Sequence, residues 1–219
     1  MGKQKYHHED LRSVLVENAL FILENSGMDS LTMRSLSRRI GVSRAAPYRH
    51  FEDKTALLGA VAAEGFKSLG NLLEETSGNG VSSLELFRKC ARAYVRFAIE
   101  RSTLYSLMFG FELTDAAPVP ELAETAERAF MIISDIIRKC QEDGVFKGDD
   151  PTEYANVTWS SLHGLSMLLI DGAVRVADDS RHLRIKPPTG RPANGIPVIA
   201  DGVIETLVRG FTPRAACPF

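Results

Sequence analysis

At 219 residues, the chain can bury a core of its own and hold one large domain or two modest ones. Its 44% hydrophobic and 25% charged content is that of a globular protein, and a net charge of −2 excludes a polycation. Residues 1–54 nevertheless hold 9 Lys/Arg against 7 Asp/Glu, while the remainder hold 17 against 21, so a basic head precedes an acidic body and hints at an anionic partner at the head.

The elements follow from periodicity and punctuation. Residues 3–8, KQKYHH, read as a mobile arm. Leu11, Val14, Leu15, Ala19, Ile22 and Leu23 recur at three and four and define a first helix, ended by Asn25-Ser26-Gly27 with Gly27 in the left-handed cap position. Thr32 is an N-cap for a second helix whose Leu36 and Ile40 face inward. Gly41 supplies a turn, Val42 plugs the angle, and Ser43 caps a short third helix over Arg44–Phe51. Asp53 caps a fourth, which carries Leu57, Leu58, Val61, Phe66, Leu69 and Leu73. Ser77-Gly78-Asn79-Gly80 marks the domain boundary. It separates a head, residues 1–54 joined by the fourth helix at about 54–76, from a body at 81–219.

The body is also helical. Leu84, Phe87, Ala91, Tyr94 and Ala98 form one stripe, and Thr103–Gly110 a short aromatic segment. Leu122 to Cys140 makes a seventh helix closed by Gly144, and Asp149-Asp150-Pro151 starts an eighth. Asp178–Gly195 is rich in Pro, Gly and Arg and reads as a mobile loop. Ile199, Val203, Leu207 and Phe211 define a ninth helix. No alternating strand pattern stands out, so the expected class is all-α with about nine helices.

Several classes of function are disfavoured. Cys90, Cys140 and Cys217 are too few and too scattered for a disulfide framework or a zinc ribbon and read as reduced cytosolic thiols. The segment MGKQKYHHED lacks the apolar stretch of a secretory signal. The longest charge-free run, Tyr154–Ile170, is too polar and slightly short for a membrane span. No cofactor or metal is expected, since no ligand set has tight spacing. Ser160, Ser161 and His163 lie too close along one helix to imply a catalytic triad, so no enzyme is expected.

The stretch Leu31–Lys54 is different. Two helices joined by a short Gly-containing turn form a helix-turn-helix, whose second helix fits the DNA major groove. Arg44, Tyr48, Arg49 and His50 offer donors for base edges and phosphates, and Ala45 and Ala46 are small enough for close approach. Lys54, and likewise Thr32 and Arg34, sit at helix starts, where free N–H groups favour a phosphate. The motif LTMRSLSRRIGVSRAAPYRHFEDKTALL resembles the DNA-binding domain of the TetR/AcrR family of bacterial transcriptional regulators over about residues 9–60. That resemblance places Arg34, Arg44, Ala45, Ala46, Tyr48, Arg49, His50 and Lys54 where family members touch DNA. Pro47 departs from the pattern, which usually has a larger apolar residue there, and predicts a third helix that starts late or winds tightly.

In the body, WSSLHGL with Trp159, His163 and Gly164, together with LYSLMFG at 104–110, resembles the subgroup named for a Trp-His-Gly signature. The resemblance implies an effector pocket, a homodimer through the eighth and ninth helices, and release of a double-stranded DNA operator by a small-molecule effector. Candidate pocket residues are Tyr94, Phe97, Tyr105, Met108, Phe109, Phe130, Trp159, His163 and Met167, each of which also fits plain core packing. The eighth helix is apolar on nearly every side and needs cover all round, from its own core and from a twin subunit. The alternative, an all-α carrier that only stores an apolar ligand, has no use for the basic aromatic third helix.

Overall fold

The computed structural model describes residues 8–76, 80–110, 119–148, 150–173 and 196–213. Among them are eight α-helices: α1 (His8–Ser26), α2 (Met33–Ile40), α3 (Lys54–Thr76), α4 (Ser83–Glu100), α5 (Ser102–Met108), α6 (Pro120–Glu142), α7 (Pro151–Ile170) and α8 (Ile196–Phe211). Two 3-10 turns, Met28–Ser30 and Pro47–Arg49, complete the regular structure, and no strand occurs among the described residues. The all-α expectation holds. The expected third helix, over Arg44–Phe51, is instead the second 3-10 turn, which leaves eight α-helices among the described residues. No described helix is long and apolar enough to cross a membrane. Most of the expected arm and all of the expected loop at Asp178–Gly195 lie outside the described residues, as does Cys217; Cys90 and Cys140 are buried, and neither is in a disulfide.

Contacts divide the chain into two compact units, Met1–Ser68 with Arg101–Ala126, and Leu69–Glu100 with Glu127–Phe219. The first is built on the α1 stripe: Leu15, Ala19 and Leu23 are fully buried, as are Leu31, Leu36, Leu57, Val61, Leu104 and Tyr105. Each such leucine contributes about 1.5–3 kcal/mol when withdrawn from water. Helix α5 lies directly on α3 at Gly65, where a Cβ would come within 2.8 Å of the Met108 sulfur, so the closeness of that packing depends on the missing side chain. Arg101 Nε donates to Glu24 at 2.6 Å and ties the start of α5 to the end of α1.

In the second unit α4 packs on α7 and α8, and α7 packs on α8. Phe87, Phe146 and Phe211 meet edge to face at 5.2–6.4 Å. Arg88 grips the Glu205 carboxylate with two bonds of 2.7 and 2.9 Å, and Arg92 reaches Asp201 at 2.6 Å, so α4 and α8 are joined by charge along one edge. The Glu205 carboxyl is held below its usual range by the Arg88 hydrogen bonds, and the Arg88 guanidinium is raised in return. Asp150 caps α7 by accepting from the Thr152 N–H at 2.8 Å. Gly144, in the left-handed region, closes α6 as the Val145 and Phe146 N–H groups return to the Cys140 carbonyl.

Candidate nucleic-acid interface

The helix-turn-helix assembles from local rules. Thr32 and Ser35 form a reciprocal capping box: Thr32 Oγ1 accepts from the Ser35 N–H at 2.9 Å, and Ser35 Oγ accepts from the Thr32 N–H at 2.9 Å. Gly41, at φ 81°, ends α2 in the left-handed conformation that L side chains rarely adopt. Asp53 caps α3 through the Ala56 N–H at 2.8 Å. Gly27 has positive φ, but its ψ of 172° takes it out of the left-handed helical cap expected there. Leu36 is fully buried, whereas Ile40 and Val42 are half-buried.

The segment after the turn carries the main correction. Pro47 has no N–H to return to the Ser43 carbonyl, which accepts instead from the Ala46 N–H at 3.0 Å. Arg49 and His50 then bond three residues back, to Ala46 and Pro47, and the chain winds as a 3-10 turn. The winding is tight, as Pro47 implies. Ser43 makes no side-chain cap here, because the residue preceding the turn is Ala46.

Pro47 and Phe51 are both buried, four positions apart. That anchorage turns Arg44, Ala45, Tyr48 and Arg49 outward, with Tyr48 56% exposed, while Ala46 and His50 are half-buried. Thr32 and Arg34 are exposed at the start of α2, and Lys54 is half-buried in the first turn of α3.

The cations of this unit fall into two sets. Arg39 is committed to the fold: its Nε donates to Asn18 at 2.9 Å and its guanidinium lies 3.8 Å from the Phe21 ring centre. Arg12 bonds Glu121 at 2.6 Å and lies 5.4 Å from the Phe51 ring centre. Arg34, Arg44, Arg49 and Lys54, by contrast, form no ion pair with a described residue. Sequence reasoning had no access to the roles of Arg12 and Arg39, because their partners lie far along the chain.

The nine effector candidates divide between the units. Tyr105 and Met108 are buried and Phe109 half-buried in the first, with the Tyr105 and Phe109 rings 4.9 Å apart. In the second, Tyr94 and Phe97 are buried, and Trp159 Nε1 donates to the Tyr94 hydroxyl at 3.1 Å. Phe130 meets the Trp159 ring at 5.9 Å, and His163 follows one turn on at 6.5 Å. Burial pushes the His163 imidazole below its ordinary value. Met167 is half-buried farther along the same helix.

Two family models match this chain: bacterial regulatory proteins of the tetR family over residues 15–61, and the tetracyclin repressor-like C-terminal domain over residues 87–184. The chain belongs to the TetR family. Regulators of this family are ligand-responsive DNA-binding repressors. The TetR-family chain is 45% identical over 51 residues to the class C tetracycline repressor of Escherichia coli, a match covering 23% of each chain. It thus spans less than a quarter of that relative's length. A solved structure of a protein of unknown function from Rhodococcus sp. RHA1 is 30% identical, with a TM-score of 0.75 over 96% of this chain and 100% of that one. A TetR-family transcriptional regulator from Pectobacterium atrosepticum shares the fold at a TM-score of 0.71 and 22% identity, over 99% of this chain and 100% of that one.

Proposed function

We propose that this TetR-family chain is a repressor that binds a roughly palindromic operator as a homodimer and is released by a small-molecule effector. The observation that carries it is the outward face of the 3-10 turn, where an exposed aromatic lies beside cations that have no ion pair among the described residues. A folded domain gains nothing from that arrangement, whereas a phosphate backbone supplies the missing charges. Thr32, Arg34, Arg44, Ala45, Ala46, Tyr48, Arg49, His50 and Lys54 are the proposed DNA contacts. Residues 1–54 form the reading head, α3 leads away from it, and residues 81–219 hold the effector and dimer functions, with Tyr94, Phe97, Tyr105, Met108, Phe109, Phe130, Trp159, His163 and Met167 as the proposed effector contacts. The protein works in the cytoplasm and is not an enzyme.

Dimerisation is assigned to α7 and α8. Val157, Leu168 and Val198 are large apolar side chains exposed on these two helices, at 49%, 49% and 72%. Ser160, Ser161 and Gly164 keep the α7 surface low between Val157 and Leu168. A twofold pair places two reading turns on successive major-groove faces.

Control follows from population shift. The effector acts only through its differential affinity for two packings of the chain, and α3 carries the change to Lys54. The test is footprinting on the DNA upstream of the chain's own coding region. A protected, roughly symmetric site is expected, with affinity falling on the order of a thousandfold or more between 50 and 200 mM salt. No protected site at low salt, or salt-independent binding, would return the chain to the carrier alternative.

A further inference from the structure

The turn Pro47–Arg49, which carries Tyr48 and Arg49, is three residues long. Its backbone bonds are short-range, from Arg49 to Ala46 and from His50 and Phe51 to Pro47. Bonds of this winding have poorer geometry than those of an α-helix, so the turn takes its direction from its buried anchors, Pro47 and Phe51, and from what holds them. Phe51 is 4% exposed. The Arg12 guanidinium, from α1, lies over its ring at 5.4 Å from the centre, within the reach of a cation–π contact.

An untethered arginine side chain has too many rotamers to keep such a place. Here Arg12 Nη2 donates to Glu121 Oε2 at 2.6 Å, and that bond selects the rotamer. Glu121 is placed independently, in the first turn of α6, where free N–H groups favour a carboxylate. Both charges are partly exposed, so the pair adds little to stability, and its effect lies in where it puts the guanidinium. Helix α1 makes a second ion pair, Glu24 with Arg101 at 2.6 Å, but Glu24 lies about 18 Å farther along the helix axis from Arg12.

We infer that Arg12 is a positioning residue for DNA reading: fixed by Glu121, it holds the Phe51 ring and so orients the turn that presents Tyr48 and Arg49, without touching DNA itself. The inference rests on the reading surface proposed above and adds to it two residues from α1 and α6. It makes Glu121, an acid, a support for binding an anionic partner. Charge alone predicts the opposite, since a carboxylate repels phosphate.

The test uses full-length protein and a labelled duplex carrying the footprinted site. Affinity is read by anisotropy over a range of salt, well below the melting midpoint of each variant, so that loss of folded protein does not enter. Arg12→Ala is expected to bind about fivefold more weakly with the wild-type salt slope, because no phosphate contact is lost. Glu121→Gln is expected to bind about threefold more weakly, despite the loss of a negative charge. Glu24→Gln loses the same charge and an ion pair of the same length, and is expected to bind at least as well as wild type. In the variant that combines Arg12→Ala with Glu121→Gln the losses should not add, since both act through one contact. The inference is overturned if Glu121→Gln binds as tightly as Glu24→Gln, or if the two losses add. It is also overturned if Arg12→Ala lowers the salt slope by about one, the mark of a lost phosphate contact. Wild-type protein that protects no DNA refutes the regulator and this inference with it, whereas wild-type binding with unchanged variants refutes the role of Arg12 alone.

Discussion

Pro47 and Phe51 are buried four positions apart, and between them Tyr48 and Arg49 are turned to solvent. Neither outward side chain supports the core, so truncating either should leave stability within about 0.5 kcal/mol of wild type. Arg49→Ala should weaken operator binding about tenfold or more if it reads a base edge, since one good pair is worth about 1–3 kcal/mol. Tyr48→Ala should weaken it in the same direction. Fluorescence anisotropy on a labelled operator, beside a melting curve, checks both; normal DNA affinity in both variants would mean that another surface reads DNA. The residue types of this face were legible in the sequence. Which arginines were free was not, since Arg12 and Arg39 look the same as Arg44 and Arg49 until Glu121, Asn18 and Phe21 are brought beside them.

Among the elements, starts and stops were the most legible features. Thr32, Asp53 and Asp150 each accept the backbone N–H groups that a helix start leaves unpaired, and the partner is never more than three residues away. Asp150→Ala should therefore cost about 1 kcal/mol through loss of the α7 cap. For a chain of this length that lowers the melting temperature by about 2–4 °C, measurable by calorimetry. An unchanged midpoint would mean that α7 is held by tertiary packing alone. The third helix was misjudged because two local rules compete there. Composition and spacing favour an α-helix over Arg44–Phe51, but Pro47 removes the bond that would close its first turn.

At the level of the whole molecule, the decisive surface is the one that a single chain leaves uncovered. A Cβ built at Gly164 meets nothing within 4 Å, so the monomer does not need that glycine for space. A leucine there is a better helix former by roughly 1 kcal/mol and should raise or preserve the stability of the isolated fold. On the α7 face proposed to meet a twin subunit, the same side chain would hold the helices apart. Gly164→Leu is expected to shift the protein from dimer to monomer in sedimentation, with a matching loss of operator affinity. A variant that remains a dimer would move the interface off this face.

Periodicity, caps and breaks act over a few residues, so the all-α class, most helix bounds and the helix-turn-helix were set along the chain itself. The effector candidates were less legible. Aromatic and Met residues at helical spacing read alike as core or pocket, and folding distributes the nine over both units, with Tyr105, Met108 and Phe109 in the first. Short-range hydrogen bonding can be inferred from neighbours in sequence, but which distant side chains a residue meets is decided only once the helices have packed.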